Sequence, residues 1–158
     1  MKREALIKVD SYRDKNREEP PWKDFIDRWY QIDENGYAFC QALYEWKQQN
    51  KLPKFDALVL NLPEGSNLSD VNFVMAAPAS PAKFVYTLPN IAGTLLVQML
   101  KFQGPLFCFS ESAGNTKILS FAQNLLKAGH RNVFVIESSL ALNDNEERVV
   151  KGYIYSRE

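Results

Sequence analysis

The chain reads as one α/β domain, residues 1–158, built on a five-stranded mixed sheet flanked by helices. Three features predict this. Short apolar runs bounded by turn residues alternate with segments whose apolar residues recur every three or four positions. The links joining the first four runs are long enough for helical crossovers, so those four strands are expected to run parallel. The last link is too short for a crossover, which makes the fifth strand antiparallel or an edge.

The first strand candidate is "ALIKVDSY", Ala5 to Tyr12. The two prolines of "EEPPW" then stop any helix and set the chain for a new start. Phe25, Ile26, Trp29 and Tyr30 recur at helical spacing, "DENG" is expected to break that helix, and Phe39, Ala42, Leu43 and Trp46 stripe a second one ended by "NKLPK". The aromatic set Trp29, Tyr30, Phe39, Tyr44 and Trp46 reads as core rather than as a flat-ligand site. "FDALVLNLP", Phe55 to Pro63, suits a strand buried on both faces, and "EGSNLSD" is a loop or helix start.

From Asn90 to Phe102, Ile91, Leu95 and Met99 share one helical face, with Asn90 as the expected N-cap behind Pro89. Strand "PLFCFSE" follows, then a helix from Ala113 to Ala128 with Gly129 as its C-cap. Strand "NVFVIESS", the acidic loop "LNDNEER" and strand "VVKGYIYS" complete the sheet.

Composition excludes several functions. Nineteen basic and nineteen acidic residues cancel, so net charge offers no reason to expect a nucleic-acid or anionic-membrane partner, whereas a neutral chain tends to associate. The N-terminus lacks an apolar stretch of signal-peptide length and no run is long enough to span a bilayer, so a cytoplasmic location is expected. Cys40 and Cys108 show no CxxC spacing and read as buried free thiols, not as a metal or redox pair. No phosphate loop, paired-carboxylate site or metal cluster stands out, and no cofactor is expected.

The turn "SESAG", holding Glu111, Ser112, Ala113 and Gly114, approaches the G-x-S-x-G pattern of a nucleophile elbow. Serine attack needs a general base, and the one histidine, His130, lies at the far end of the expected helix, roughly 27 Å away at ~1.5 Å per residue. Lys117 falls on the polar side with Asn124 and Lys127, where no desolvation would make it a base. Ser112 therefore reads as an N-cap, with Glu111 favourable at the same helix end and His130 as a surface turn residue.

"LPNIAGTLLVQMLKFQGP" and "LLKAGHRNVFVIES" resemble the N-terminal half of β-ketoacyl synthases, which have the thiolase fold. The matching residues are Pro89, Asn90, Gly104, Pro105 and Gly129; counting back from Gly129 places Ser112 where active ketosynthases carry their cysteine. Ser110 to Gly114 is similar to the turn of chain-length factors, inactive relatives that pair with active ketosynthases. "SPAKFVYTLPN" is similar to short ketosynthase-like proteins of aryl polyene and related pathways. The resemblance runs from about Phe55 to Ser139.

It implies a single half of a thiolase-like fold with four parallel strands and the last antiparallel. It also implies a buried nucleophile helix. Here Lys117, Ser120, Asn124 and Lys127 stripe that helix opposite Ile118, Leu119, Ala122, Leu125 and Leu126, which suits a free-standing half. Family dimers pair the nucleophile-bearing strand across a two-fold axis. Leu106, Phe107, Cys108 and Phe109 leave the equivalent strand uncharged, and a homodimer or a heterodimer with a ketosynthase is expected through it.

The expected function is a non-catalytic, chain-length-factor-like accessory subunit of a type II fatty-acid, polyketide or aryl polyene pathway. It would pair with a ketosynthase or dock acyl carrier protein, with Lys101, Lys117, Lys127 and Arg131 as candidate docking cations. Two alternatives stay open. One is a Ser112-dependent acyltransferase or thioester hydrolase completed by another chain; the other is a stand-alone structural or ligand-binding homodimer.

Overall fold

The computed structural model describes residues 2–11, 19–32, 34–49, 51–63, 67–75, 78, 81–85, 88–112, 114–140 and 147–157. Five strands, β1 (Lys2–Ser11), β2 (Ala57–Asn61), β3 (Leu106–Phe109), β4 (Asn132–Leu140) and β5 (Glu147–Ser156), form one sheet in the order β1-β5-β4-β2-β3. β4 pairs with β2 and β2 with β3 in parallel, while β5 is antiparallel to both β4 and β1. The first four strands thus share a direction and the last opposes them, as crossover lengths require. β5 lies inside the sheet, which leaves β1 and β3 as its edges.

Among the described residues there are five α-helices, α1 (Glu34–Gln49), α2 (Asn67–Met75), α3 (Pro81–Val85), α4 (Pro89–Leu100) and α5 (Thr116–Lys127), of which α1, α4 and α5 pack on the sheet. Alternation along the strands sorts the core into two layers. Leu58, Leu60, Phe134 and Ile136 turn toward α1 and α4, packing with Phe39, Leu43 and Leu96. Ala57, Val59, Val133 and Val135 turn toward α5, packing with Ile118, Ala122, Leu125 and Leu126. β2 is buried at every position, the fate of a central parallel strand covered on both faces. α4 lies close on β3: a Cβ at Gly93 would stand 2.9 Å from the Cys108 sulfur.

Several local expectations are corrected. Phe25 to Tyr30 form no α-helix but parts of two 3-10 turns, Lys23–Phe25 and Trp29–Gln31, separated by Arg28 at φ 55. Left-handed backbone at Arg28 interrupts the helical hydrogen bonds, so Trp22, Ile26 and Ile32 take the core while Tyr30 is 59% exposed. "DENG" starts a helix instead of ending one, since α1 opens at Glu34; Asp33 lies outside the described residues. Leu88, not Asn90, stands at the N-cap position of α4 and makes no side-chain cap bond, because Pro89 takes the first helical position, where its missing N–H costs nothing. α3 is also opened by a proline, Pro81, and adds a short helix beyond those the spacing predicts. Tyr12, Glu64 to Ser66 and residues 141–146 lie outside the described residues, while Glu147 and Arg148, expected in the acidic loop, already belong to β5.

Candidate functional site

Between β3 and α5 the chain turns at the exit end of the parallel strands. α5 begins at Thr116, not near Ala113, and its N-cap is Asn115, whose Oδ1 accepts the Lys117 N–H at 2.8 Å. Ser112 is therefore not the cap. Asparagine caps as well as serine does, and Gly114 at φ +71 supplies the left-handed step that carries the chain to Asn115. The exposed Ser112 accepts the Asn115 N–H on its carbonyl at 3.1 Å, and its hydroxyl meets the Asn115 amide at 3.4 Å. Ala113 lies outside the described residues. Glu111 binds the Asn115 amide at 3.0 Å and Lys117 Nζ at 3.0 Å, so this acid faces the helix start as expected.

Beneath the turn is a buried polar pair that the sequence reading missed. Asn61 ends β2 fully buried, and its side-chain amide pairs with the backbone of Glu111: Oδ1 accepts the Glu111 N–H at 3.0 Å and Nδ2 donates to the Glu111 carbonyl at 3.1 Å. A carboxamide has the shape of a peptide group, so Asn61 prolongs the β2–β3 ladder past Phe109. Asn61 Nδ2 also donates to Glu137, whose carboxylate accepts the Gly114 N–H at 3.2 and 3.4 Å. Glu137 is buried, and a buried carboxylate is tolerated only when hydrogen-bonded in this way. The signal in the sequence is two polar residues that each follow an apolar run, Asn61 at the end of β2 and Glu137 within β4, toward the end where α/β sheets place their sites. Ser110 Oγ adds a bond to the Leu62 carbonyl at 3.0 Å.

The turn is anchored, yet among the described residues Ser112 has no partner suited to activating it. His130 lies past the opposite end of α5, a helix about 18 Å long. Its N–H reaches the Leu125 carbonyl at 3.1 Å while Gly129, at φ +116, donates to Leu126 at 3.3 Å, which closes the helix in a Schellman motif. The His130 ring is 27% exposed and points to Asp56, with Nδ1 3.8 Å from Oδ1. Lys117 is 72% exposed and ion-paired to Glu111. Among the described residues, no imidazole or desolvated amine faces the Ser112 hydroxyl, and no cluster of metal-ligating side chains occurs.

The remaining candidates separate in space. β3 is an edge strand, with Leu106 and Cys108 turned toward the α4 layer and Phe107 and Phe109 edge-on to Phe121 at 5.0 and 4.9 Å. Cys40 is buried as expected, but Cys108 is only half-buried because its strand lacks an outer neighbour; burial still pushes its thiol up. On α5, Lys117, Ser120, Asn124 and Lys127 are exposed while Ile118, Ala122, Leu125 and Leu126 are buried, so the expected polar stripe is present. Of the four candidate cations, Lys117 stands at the turn, whereas Lys101, Lys127 and Arg131 stand at the other end of the sheet.

Four strands in one direction, a final antiparallel strand and helices on both faces define a thiolase-like α/β fold. A solved structure described as "Ketosynthase (ApeO) in Complex with its Chain Length Factor (ApeC) from Xenorhabdus doucetiae" contains a chain similar to this one, with a TM-score of 0.63 and 17% identity. The match covers 94% of this chain and 66% of that one, so this chain spans just under two thirds of its neighbour's length. At such identity the likeness is one of fold. No family model and no curated protein matches the chain. Among the described residues, no helix is long and apolar enough to cross a membrane.

Proposed function

We propose that the chain is a ketosynthase-like accessory subunit of the chain-length-factor kind, which pairs with a ketosynthase and performs no condensation itself. The pathway class this reading favours is type II fatty-acid, polyketide or aryl polyene synthesis. The observation that carries it is the turn itself: a hydrogen-bonded strand-to-helix turn, in a thiolase-like fold, whose serine hydroxyl meets an amide and, among the described residues, no base. Nucleophilic catalysis needs a thiolate or a base-activated hydroxyl, and the turn supplies neither.

The fold likeness to a chain of a ketosynthase–chain length factor complex supports pairing as the mode of action. β3 fits that role, being an edge strand of four residues without a charge to deter a second strand. Light scattering of the chain, alone and with a cognate ketosynthase, tests the reading. A dimer or a one-to-one complex that is lost when Phe107 or Phe109 is replaced by lysine is expected; a monomer in both samples overturns it. A fluorophosphonate probe checks the serine directly. Labelling that disappears in Ser112→Ala would replace this proposal with an acyl-transferring or thioester-cleaving enzyme completed by another chain.

A further inference from the structure

Lys151 on β5 is half-buried, and its ammonium has no ion pair among the described residues. Its place in the sheet is specific. The β4–β5 register sets it directly opposite Glu137, and directly opposite residues of an antiparallel ladder share a face with β-carbons about 5 Å apart. That face is the α5 side, where Val133, Val135 and Tyr153 also lie. The β1 residue in register with Lys151 is Ile7, which carries no charge. At the turn Glu111 is already held by Asn115 and Lys117, which leaves Glu137 as the acid set against Lys151.

In the structure Glu137 is engaged elsewhere, accepting the Asn61 amide and the Gly114 N–H. Its Gly114 contacts, at 3.2 and 3.4 Å, are long beside the roughly 2.7–2.9 Å of a strong charge-assisted bond. Drawing Gly114 away would ordinarily leave a buried carboxylate short of a donor, which is a costly state. Here an ammonium stands across the ladder to take the vacated oxygen, so the charge is compensated in either position. The turn is also built to move at one point. Asn61 fixes Glu111 on one side and Asn115 caps α5 on the other, while Gly114 between them is exposed, at φ +71, with glycine's wider choice of backbone angles.

We propose that Glu137 is a two-position latch for the Ser112 turn, holding the Gly114 N–H in a closed state and pairing with Lys151 in an open one. Asn61 keeps its paired bonds to Glu111 in both states, so the end of the sheet stays fixed while the turn moves. A partner that meets the open turn better than the closed one shifts the latch by that difference in affinity. The device holds whether or not the chain pairs with a ketosynthase.

The test is NMR of the whole chain at fixed pH. Relaxation dispersion at the Gly114 and Asn115 amides and at the Glu137 carboxyl carbon reads exchange between the two positions, and hydrogen exchange of Gly114 is compared with that of Val135 in the sheet centre. Lys151→Met removes the second position; it is expected to abolish the dispersion and to slow Gly114 exchange at least about fivefold relative to Val135. Lys151→Arg keeps the cation and should leave both readings within about twofold. Lys151→Gln serves if the Met variant fails to fold, and circular dichroism checks each variant. Readings unmoved by Lys151→Met, or lost equally in Lys151→Arg, overturn the proposal. So does Gly114 exchanging no faster than Val135 in the unaltered chain, since the turn would then open only when the whole fold does.

Discussion

Each end of the sheet is tied by one carboxylate that accepts backbone N–H groups from another segment, and the two ties differ in burial. At the exit end Glu137 holds Gly114 from within the core, joined by the fully buried Asn61. At the start end Asp56 holds Arg131 and Asn132 with a side chain 45% exposed. The bonds are of the same kind. Their worth is not, because breaking the buried tie strands polar groups away from water, while groups freed at the surface are rehydrated. The tie beneath the Ser112 turn is thus worth more to stability than the one at Asp56.

Removing the buried amide tests this most severely. Asn61→Ala leaves the Glu111 N–H and carbonyl and one Glu137 oxygen without their partner, and a loss of about 3 kcal/mol is expected in urea unfolding. Glu137→Gln keeps the shape but sets two amide donors against each other, for a loss of about 2 kcal/mol. The double variant should cost less than the sum of the two, since both act in one network. Additive losses would mean that the pair is not coupled.

A smaller effect is expected at the other end, where Asp56→Ala should cost about 1 kcal/mol after solvent screening is allowed for. Partial burial by itself raises the Asp56 carboxyl, but the Arg131 and Asn132 N–H groups and His130 together outweigh it and hold the acid below its ordinary value. The depressed folded value means that this stabilisation is present above the usual carboxylate range near pH 4 and is lost as pH falls through the folded value. Stability curves of the protein and Asp56→Ala should therefore converge in acid; a constant gap down to about pH 2 would count against the tie.

Lys101 adopts φ 50 at the end of α4, where glycine is the favoured residue. Lys101→Gly should raise stability by about 0.5 kcal/mol, and a fall in Tm would contradict that backbone assignment. Ser112→Ala should change stability by less than about 0.5 kcal/mol, because the hydroxyl caps no helix and is exposed. A large loss would restore Ser112 to a capping role.

Legibility followed the range of the interactions. β2 as a doubly buried strand, the polar stripe of α5 and Gly129 at its end were all readable, because burial period and capping chemistry act within a turn or two of the chain. Asn61 and Glu137 were not: each looks like an ordinary polar residue after an apolar run, and their partnership spans a sequence separation of 76. The helix expected at Phe25 to Tyr30 shows the opposite failure, a spacing that suits a helix but meets left-handed backbone at Arg28.

Sequence alone determined the alternation of strands and helices, the direction of the last strand, the apolar face of α5 and a turn whose serine has no histidine near it. Only the tertiary structure decided which polar groups share the buried space beneath that turn, that β3 is an edge, and that three of the four candidate cations stand at the end of the sheet away from it. The reason is physical. Periodicity and capping are local free energies written in neighbouring residues, whereas a buried hydrogen bond or a charged surface exists only once the sheet has brought distant segments together.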